Sequence, residues 1–503
     1  MTPENRIDVI LRTFVAFTFV IWILQKIWNR RRLYLASLKL PGPLALPFIG
    51  SAFYFLGNPH DIFDQITQMF DRYPGIFRVW FGSRLFYAVS NPKYIEILLT
   101  NPQCLKKEKL YALIEPIVGQ GLFTARSVSY WKKHRKIIMP TFNQRILDSF
   151  VEIFAEQSEI LCRILKKFHG KGEIEIFRLV SACSLDILSE TAMGIKVNTQ
   201  SSNEMAPNFS KWVDRVMEIT MIRVFNIFYH NEMIFNMSSL GREFHEANSK
   251  IRSFVKKILN EKKRLRNLMP QETFLRKKVA FLDLLLNIND QENVHFSDDE
   301  LLDETITFMI GGTDTTATTN CFVLTMLGMH QEIQQKVFAE ILDVVGPIES
   351  VKCEHLSQLK YLERVIKETL RLFPVGPYVV RYATETINLG DYIIEKGCSI
   401  FFGIRNVHMN EKYWPDPYKF DPNRFLPEEI AKRPPASYIP FCYGPRNCIG
   451  MNYGMMVMKA LLTTILQKYK VFTSYKHVRD IDLKTNLMLR PNNGYKIALK
   501  LRN

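Results

Sequence analysis

Near its carboxyl end the chain reads Phe441-Cys442-Tyr443-Gly444-Pro445-Arg446-Asn447-Cys448-Ile449-Gly450. This fits the frame F-x-x-G-x-R-x-C-x-G. Five fixed positions, each filled by chance about one time in 20, would match in roughly one of several thousand chains of this size. The thiolate, not the thiol, is the metal ligand, and it needs nearby N–H donors or positive charge to form. Gly444 permits a tight turn that aims backbone N–H groups at Cys448. The amino terminus of a following helix adds to that field. Arg446 supplies a cation beside Cys448. The alternative is a buried, inert cysteine, which is how Cys442, outside the frame, is read.

A second group lies upstream at Gly311-Gly312-Thr313-Asp314-Thr315-Thr316. Ser297 and Glu300 have capping-box spacing, and the helical pattern runs from there to about His330 without proline. Two adjacent glycines inside a helix cost about 1 kcal/mol each against alanine. Close approach of a flat cofactor would offset that. Asp314 and Thr315 place an acid and a hydroxyl together, as a proton relay needs. The alternative is a kink, or threonines bonding back to their own carbonyls.

With both groups in this order, the chain resembles the cytochrome P450 superfamily of haem-thiolate monooxygenases. The resemblance covers nearly everything after Pro41. It implies a mainly α fold with small β-sheets (α+β) and a long central helix over haem. It implies haem b with Cys448 as the metal ligand. Gly311 and Gly312 would lie against it, Thr315 and Asp314 would relay protons, Arg446 would neutralise a propionate, Phe441 would shield the sulfur from water, and Gly450 would let the next helix approach the porphyrin. Tyr361–Pro374 contains Glu368 and Arg371, three apart on one helix face. E-x-x-R alone is common, and Glu261/Arg264 is another. In the family the pair locks to an arginine such as Arg424 and braces the thiolate loop. W-x-x-x-R occurs at Trp28/Arg32, Trp80/Arg84 and Trp131/Arg135. Only the last follows a suitable loop, Gly119–Thr124. Trp131, Arg135, Arg381 and Arg446 are thus the implied propionate set. Ala280–Leu286 and Thr307-Phe308-Met309 resemble family 4 of the superfamily, which includes many fatty-acid terminal hydroxylases. Members commonly have Glu where this chain has Gly311, so no covalent ester to haem is expected.

The elements that must position these groups are mostly helical, as at 150–168 and 240–268. Strand patterns occur at 75–89 and 378–400. Four apolar segments, 110–123, 205–235, 375–380 and 486–493, are expected to wall an apolar substrate. The chain has no dinucleotide-binding glycine fingerprint. Electrons from NADPH would therefore come through a separate NADPH-cytochrome P450 reductase, or cytochrome b5, and O2 is the co-substrate. Two other readings stay open: a haem-thiolate isomerase or lyase, and a non-catalytic haem or lipid carrier.

Of the 503 residues, 47% are apolar and 23% charged, which excludes disordered tails, collagen and coiled-coil rods. Eight cysteines without zinc-ribbon or framework spacing imply reduced thiols. Residues 9–28 are largely apolar, interrupted by Arg12 and Lys26, and Arg30-Arg31-Arg32 follow. That pattern predicts an uncleaved membrane anchor with the body on the cytoplasmic side. The expected division is an anchor at 1–32, a proline-rich hinge at 33–50 and a catalytic domain at 51–503. The expected location is the endoplasmic reticulum. The net charge of +16 suggests a polyanion partner. Yet residues 1–32 hold six basic side chains against two acidic, and 252–278 hold ten against two. No recognition motif supports nucleic-acid binding. Lys132, Lys133, Arg135 and Lys136 form a smaller patch, expected to receive a reductase.

Overall fold

The computed structural model describes residues 3–201, 206–268, 280–290 and 296–502. The central helix, Asp298–Met329, is the axis of the body. Its start is fixed by both bonds of a capping box: Glu300 N–H donates to Ser297 Oγ, and Ser297 N–H to Glu300. Asp298, Asp299 and Glu300 complement the positive end of the helix dipole. The helix is buried along most of its length, among others by Phe177–Leu188 and by Met451–Lys468, which follows the cysteine loop. The helix expected over 150–168 runs Val151–Leu165 and ends in a tighter turn; that over 240–268 runs Ser239–Asn267.

The strand patterns resolve into a five-stranded sheet at one end. Ile76–Phe81 and Arg84–Val89 form an antiparallel hairpin. Arg84–Val89 then pairs in parallel with Ser399–Gly403, which pairs with Tyr378–Tyr382, which pairs with the short Lys106–Lys107. A carboxyl-terminal hairpin pairs Leu483–Asn486 with Met488–Pro491. A three-stranded sheet joins residues 173–175, 496–501 and 469–472. The fold is mainly helical with small sheets, as expected.

The proline-rich segment is seated on the first hairpin. Arg78 N–H donates to Pro41 O, and Arg78 Nε to Leu40 O. A Cβ on Gly42 would lie 2.2 Å from Arg78 O, so only glycine lets the two backbones approach. Ahead of that segment, Pro3–Asn29 is one helix. Its side chains from Ile10 to Trp22 include nine large apolar groups that are 47–67% exposed. Arg12, the costly charge in that run, pairs with Asp8 at 2.8 Å. Among the described residues no helix is long and apolar enough to cross a membrane. The side chains of Val9, Ile23, Leu24 and Lys26 lie outside the described residues.

The basic segment 252–278 is partly neutralised within the body. Arg252 pairs with Asp303, Lys262 with Asp283 and Lys263 with Asp298. Arg276, Lys277 and Lys278 lie outside the described residues.

Candidate active site

The cysteine loop is held by its own backbone. Cys448 N–H donates to Phe441 O at 2.9 Å, and Cys442 N–H to Ile439 O at 2.9 Å. Gly444 has φ +71°, and a Cβ there would lie 2.3 Å from Leu99 O. Both facts demand glycine. Cys442 takes a positive φ of 62° despite its side chain. Gly450 caps the Met451–Lys468 helix, and its own face is open, the nearest side-chain atom being Phe142 at 3.9 Å. Cys448 is exposed, but its surface opens into an internal cavity. Burial within protein pushes its thiol pKa up, while the Gly450 N–H and Arg135 pull it down. Phe441 lines the same cavity.

A buried polar cluster braces this loop. Glu368 and Arg371 are fully buried and doubly bonded, Nε to Oε2 at 2.7 Å and Nη2 to Oε1 at 2.8 Å. Burial lifts the pKa of Glu368, and Arg371 is the main opposing influence. Arg424 Nε stands 3.5 Å from Glu368, and its Nη2 donates to Asp416 O. Arg371 Nη1 donates to His408 O, and His408 Nε2 accepts from Ile439 N–H at 2.9 Å. A continuous path therefore runs from the Glu368/Arg371 helix through His408 to the start of the cysteine loop. No local pattern in the sequence marked His408.

Four cations converge beside the loop. Arg381 and Arg446 are 2% and 9% exposed, and Trp131 is buried with the Arg446 guanidinium 4.2 Å from its ring centre. Arg446 Nε and Nη1 are buried without a protein partner. Burial and Arg381 pull the pKa of Arg446 down to about 9. Arg135 reaches the loop itself, donating to Asn447 O at 2.9 Å and Asn447 Oδ1 at 2.7 Å. The fourth, Lys107, was not foreseen. It faces Arg381 across the strand pair, is 7% exposed, and sits 4.1 Å from the Tyr111 ring. Burial, Arg381 and Arg446 drive its pKa well below the ordinary lysine value. In sequence, Lys106-Lys107 reads as an ordinary exposed pair; only the sheet register turns one inward. Like charges directly opposite on a sheet are destabilising. Such a set, with orphaned donors, suits the two carboxylate arms of haem.

The central helix brings part of its motif to the same cavity. Gly311, Gly312, Thr315, Thr316 and Thr319 line it. A Cβ on Gly311 would meet nothing within 4 Å. A Cβ on Gly312 would lie 2.8 Å from Leu188, so this glycine serves helix packing as well as the cavity. Thr315 Oγ1 donates to Gly311 O at 2.6 Å.

Asp314 departs from the expectation that it stands beside Thr315 in the cavity. Consecutive helical residues are turned about 100° apart. Asp314 is buried and absent from the cavity wall; its Oδ2 accepts from Arg490 Nη2 at 2.5 Å. Arg490 also donates to Asp214. Neither partner carried a sequence signal, because both lie far from Asp314 along the chain.

The cavity has a volume of about 550 Å³. All four expected segments contribute, among them Leu110, Phe123, Met217, Phe225, Val379 and Met488. Met205 lies outside the described residues. The sequence did not foresee the contributions of Phe55, Ile66, Phe70, Phe77 and Phe86.

A helical body whose internal apolar cavity is shared by a braced cysteine loop, a cation cluster and a glycine-threonine helix face has the makings of a haem-thiolate protein. Comparison with known sequences agrees. A family profile described as Cytochrome P450 matches residues 40–499. The chain is 36% identical over 503 residues to cytochrome P450 4c21 of Blattella germanica, covering 98% of each. It is 33% identical to cytochrome P450 4V2 of Rattus norvegicus, covering 96% of this chain and 94% of that one. It is 31% identical to cytochrome P450 4c3 of Drosophila melanogaster, covering 96% and 93%. The chain belongs to the cytochrome P450 family, with family-4 members among its relatives, and is a P450 monooxygenase. Membership implies haem with a cysteine thiolate ligand, O2, a redox partner and a substrate.

Proposed function

We propose that this protein is a membrane-anchored monooxygenase of apolar substrates, drawn from fatty acids, lipid hormones or xenobiotics, with Cys448 as the haem ligand. The observation that carries it is one apolar cavity whose wall includes Cys448, the Arg381/Arg446 cluster and the Gly311/Thr315 helix face. Haem b bound there supplies dioxygen activation: one oxygen atom goes to the substrate and the other to water, using two electrons and two protons, and the thiolate promotes O–O cleavage. Trp131, Arg135, Arg381 and Arg446 would hold its propionates, joined by Lys107. Gly444 and Gly450 shape the loop and the helix entry, and Phe441 shields the sulfur. Gly311 leaves open space at the cavity wall, which suits haem held without an ester bond. Thr315 presents a hydroxyl to the cavity, with Asp314 behind it as the acid of the relay. Glu368, Arg371 and Arg424 hold the thiolate loop in place.

The electrons come from NADPH through NADPH-cytochrome P450 reductase, with cytochrome b5 as a second donor. The helix that precedes the proline-rich segment is the anchor in the endoplasmic reticulum membrane, because among its described side chains nine large apolar groups are 47–67% exposed. The division into anchor 1–32, hinge 33–50 and catalytic domain 51–503 follows. The test is substrate-induced spin-state change of the purified holoenzyme across fatty acids, lipid hormones and xenobiotics, followed by product regiochemistry with reductase. Oxygenated product that requires NADPH and reductase supports the reading. Turnover without reductase would turn it toward an isomerase or lyase.

A further inference from the structure

The Asp314 contact joins three elements. Arg490 stands on the carboxyl-terminal hairpin, Asp314 on the central helix and Asp214 on the Ala206–Phe225 helix, which carries Met217 and Phe225 of the cavity wall. Arg490 Nη2 donates to both carboxylates, at 2.5 Å to Asp314 and 2.8 Å to Asp214. The two oxygens that share Arg490 Nη2 therefore lie no more than about 5 Å apart, a separation within the reach of one bridging water.

Their surroundings differ. The Asp314 side chain is 4% exposed, whereas that of Asp214 is 40% exposed. Asp314 Oδ1 and Arg490 Nη1 are buried with no protein partner. Two orphaned polar atoms on one buried ion pair are the setting in which proteins hold an ordered water. The arrangement leads from a half-open acid, past a fixed guanidinium, to a buried acid whose next residue, Thr315, faces the cavity.

We propose that Asp214 is the outer station of the proton path for dioxygen cleavage, with Arg490 as the positioning residue that holds it against Asp314. A proton passes from Asp214 through a bridging water to Asp314 Oδ1, and Asp214 takes another from solvent. No other bond changes. The path rests on the monooxygenase reading and adds its entry point. Every charged group facing Asp214 bears on its titration. Crowding by protein and the carboxylates of Asp314 and Glu175 raise its pKa, Arg490 and Lys484 lower it, and the result is about 7. An acid that titrates near neutrality both releases and regains a proton readily.

Two measurements test this. The first is an infrared pH titration of the ferric resting holoenzyme, which needs no substrate. A carboxyl band with a midpoint near pH 7 is expected, lost in Asp214→Asn and kept in Asp214→Glu. A band that persists unchanged in Asp214→Asn overturns the proposal. The second is NADPH-driven turnover with reductase and dodecanoic acid as probe. Asp214→Asn should lower kcat about ten-fold with little change in KM. It should also raise the solvent deuterium isotope effect and erase the pH step near 7. Arg490→Lys should recover part of what Arg490→Gln loses. An Asp214→Asn enzyme with the wild-type pH profile and isotope effect also overturns it. If the wild type never oxygenates any substrate, the monooxygenase reading fails instead, while the infrared titration still decides whether Asp214 is the neutral-range acid.

Discussion

Replacing Arg371 by alanine should cost this protein its haem before it costs its secondary structure. Arg371 makes two bonds to Glu368 and further bonds to His408 O and Lys419 O. Both members of the pair are fully buried. Removing the guanidinium strands a buried carboxylate whose remaining close partners are the Asp421 N–H at 3.0 Å and Arg424 at 3.5 Å. Breaking a buried pair on one side costs about 3–5 kcal/mol. Whole domains are held by about 5–15 kcal/mol. The loss falls on the His408 path to Ile439, so the cysteine loop loosens first. Replacing both partners by apolar residues, Glu368→Leu with Arg371→Met, leaves no orphaned charge and should cost much less than the two single changes added together. Urea midpoints of the four proteins give the coupling, and the reduced, CO-bound spectrum gives the fraction with an intact thiolate. Additive losses within about 0.5 kcal/mol would show that the pair does not act as a unit. A wild-type thiolate band and midpoint in Arg371→Ala would refute the bracing itself.

Three further outcomes are expected. Gly444→Ala must take a left-handed backbone, at about 1–2 kcal/mol, and also collide with Leu99 O, so its haem content should collapse. Burial drives the pKa of His408 from 6.5 to about 3, so between those values the unfolded chain binds a proton that the folded chain refuses. That contribution is fully present above pH 6.5 and drains as pH falls through the window, by up to about 1.4 kcal/mol per unit; His408→Gln should flatten the slope of urea midpoint against pH. Lys132 and Lys133 are exposed on the helix that carries Trp131 and Arg135, so reversing both charges should slow reduction by the reductase and weaken its salt dependence, which stopped-flow kinetics would read.

The residues legible in sequence were those whose geometry is local. The cysteine frame encodes its own turn, because Gly444 must adopt a positive φ and Cys448 must bond back to Phe441. The central helix declares its start through Ser297 and Glu300, three positions apart in the chain. Glu368 and Arg371 are one helical turn apart and found each other as the spacing required. What stayed hidden depends on partners distant in sequence. Lys107 turns inward only because a two-residue strand pairs with Arg381. His408 matters because it touches both the Arg371 cluster and Ile439. Asp314 and Thr315 are neighbours in a motif, but the helix rotates them onto different faces, and Arg490 fixes the difference. Gly312 was read as room for a cofactor, and Leu188 of another helix takes part of that room. The overall charge is a poor guide to partners, since three of the ten basic side chains of segment 252–278 pair within the chain with Asp283, Asp298 and Asp303.

The central claim is that Cys448, and not Cys442 of the same loop, carries the haem as a thiolate ligand. Both sulfurs line one cavity, which makes the pair a controlled comparison. The direct measurement is the reduced, CO-bound absorption spectrum of the purified holoenzyme and of the single serine variants at the two positions. The wild type and Cys442→Ser should show the red-shifted Soret band of a thiolate-ligated haem, and Cys448→Ser should lack it. A thiolate band that survives in Cys448→Ser, or is absent from the haem-loaded wild type, would contradict the account.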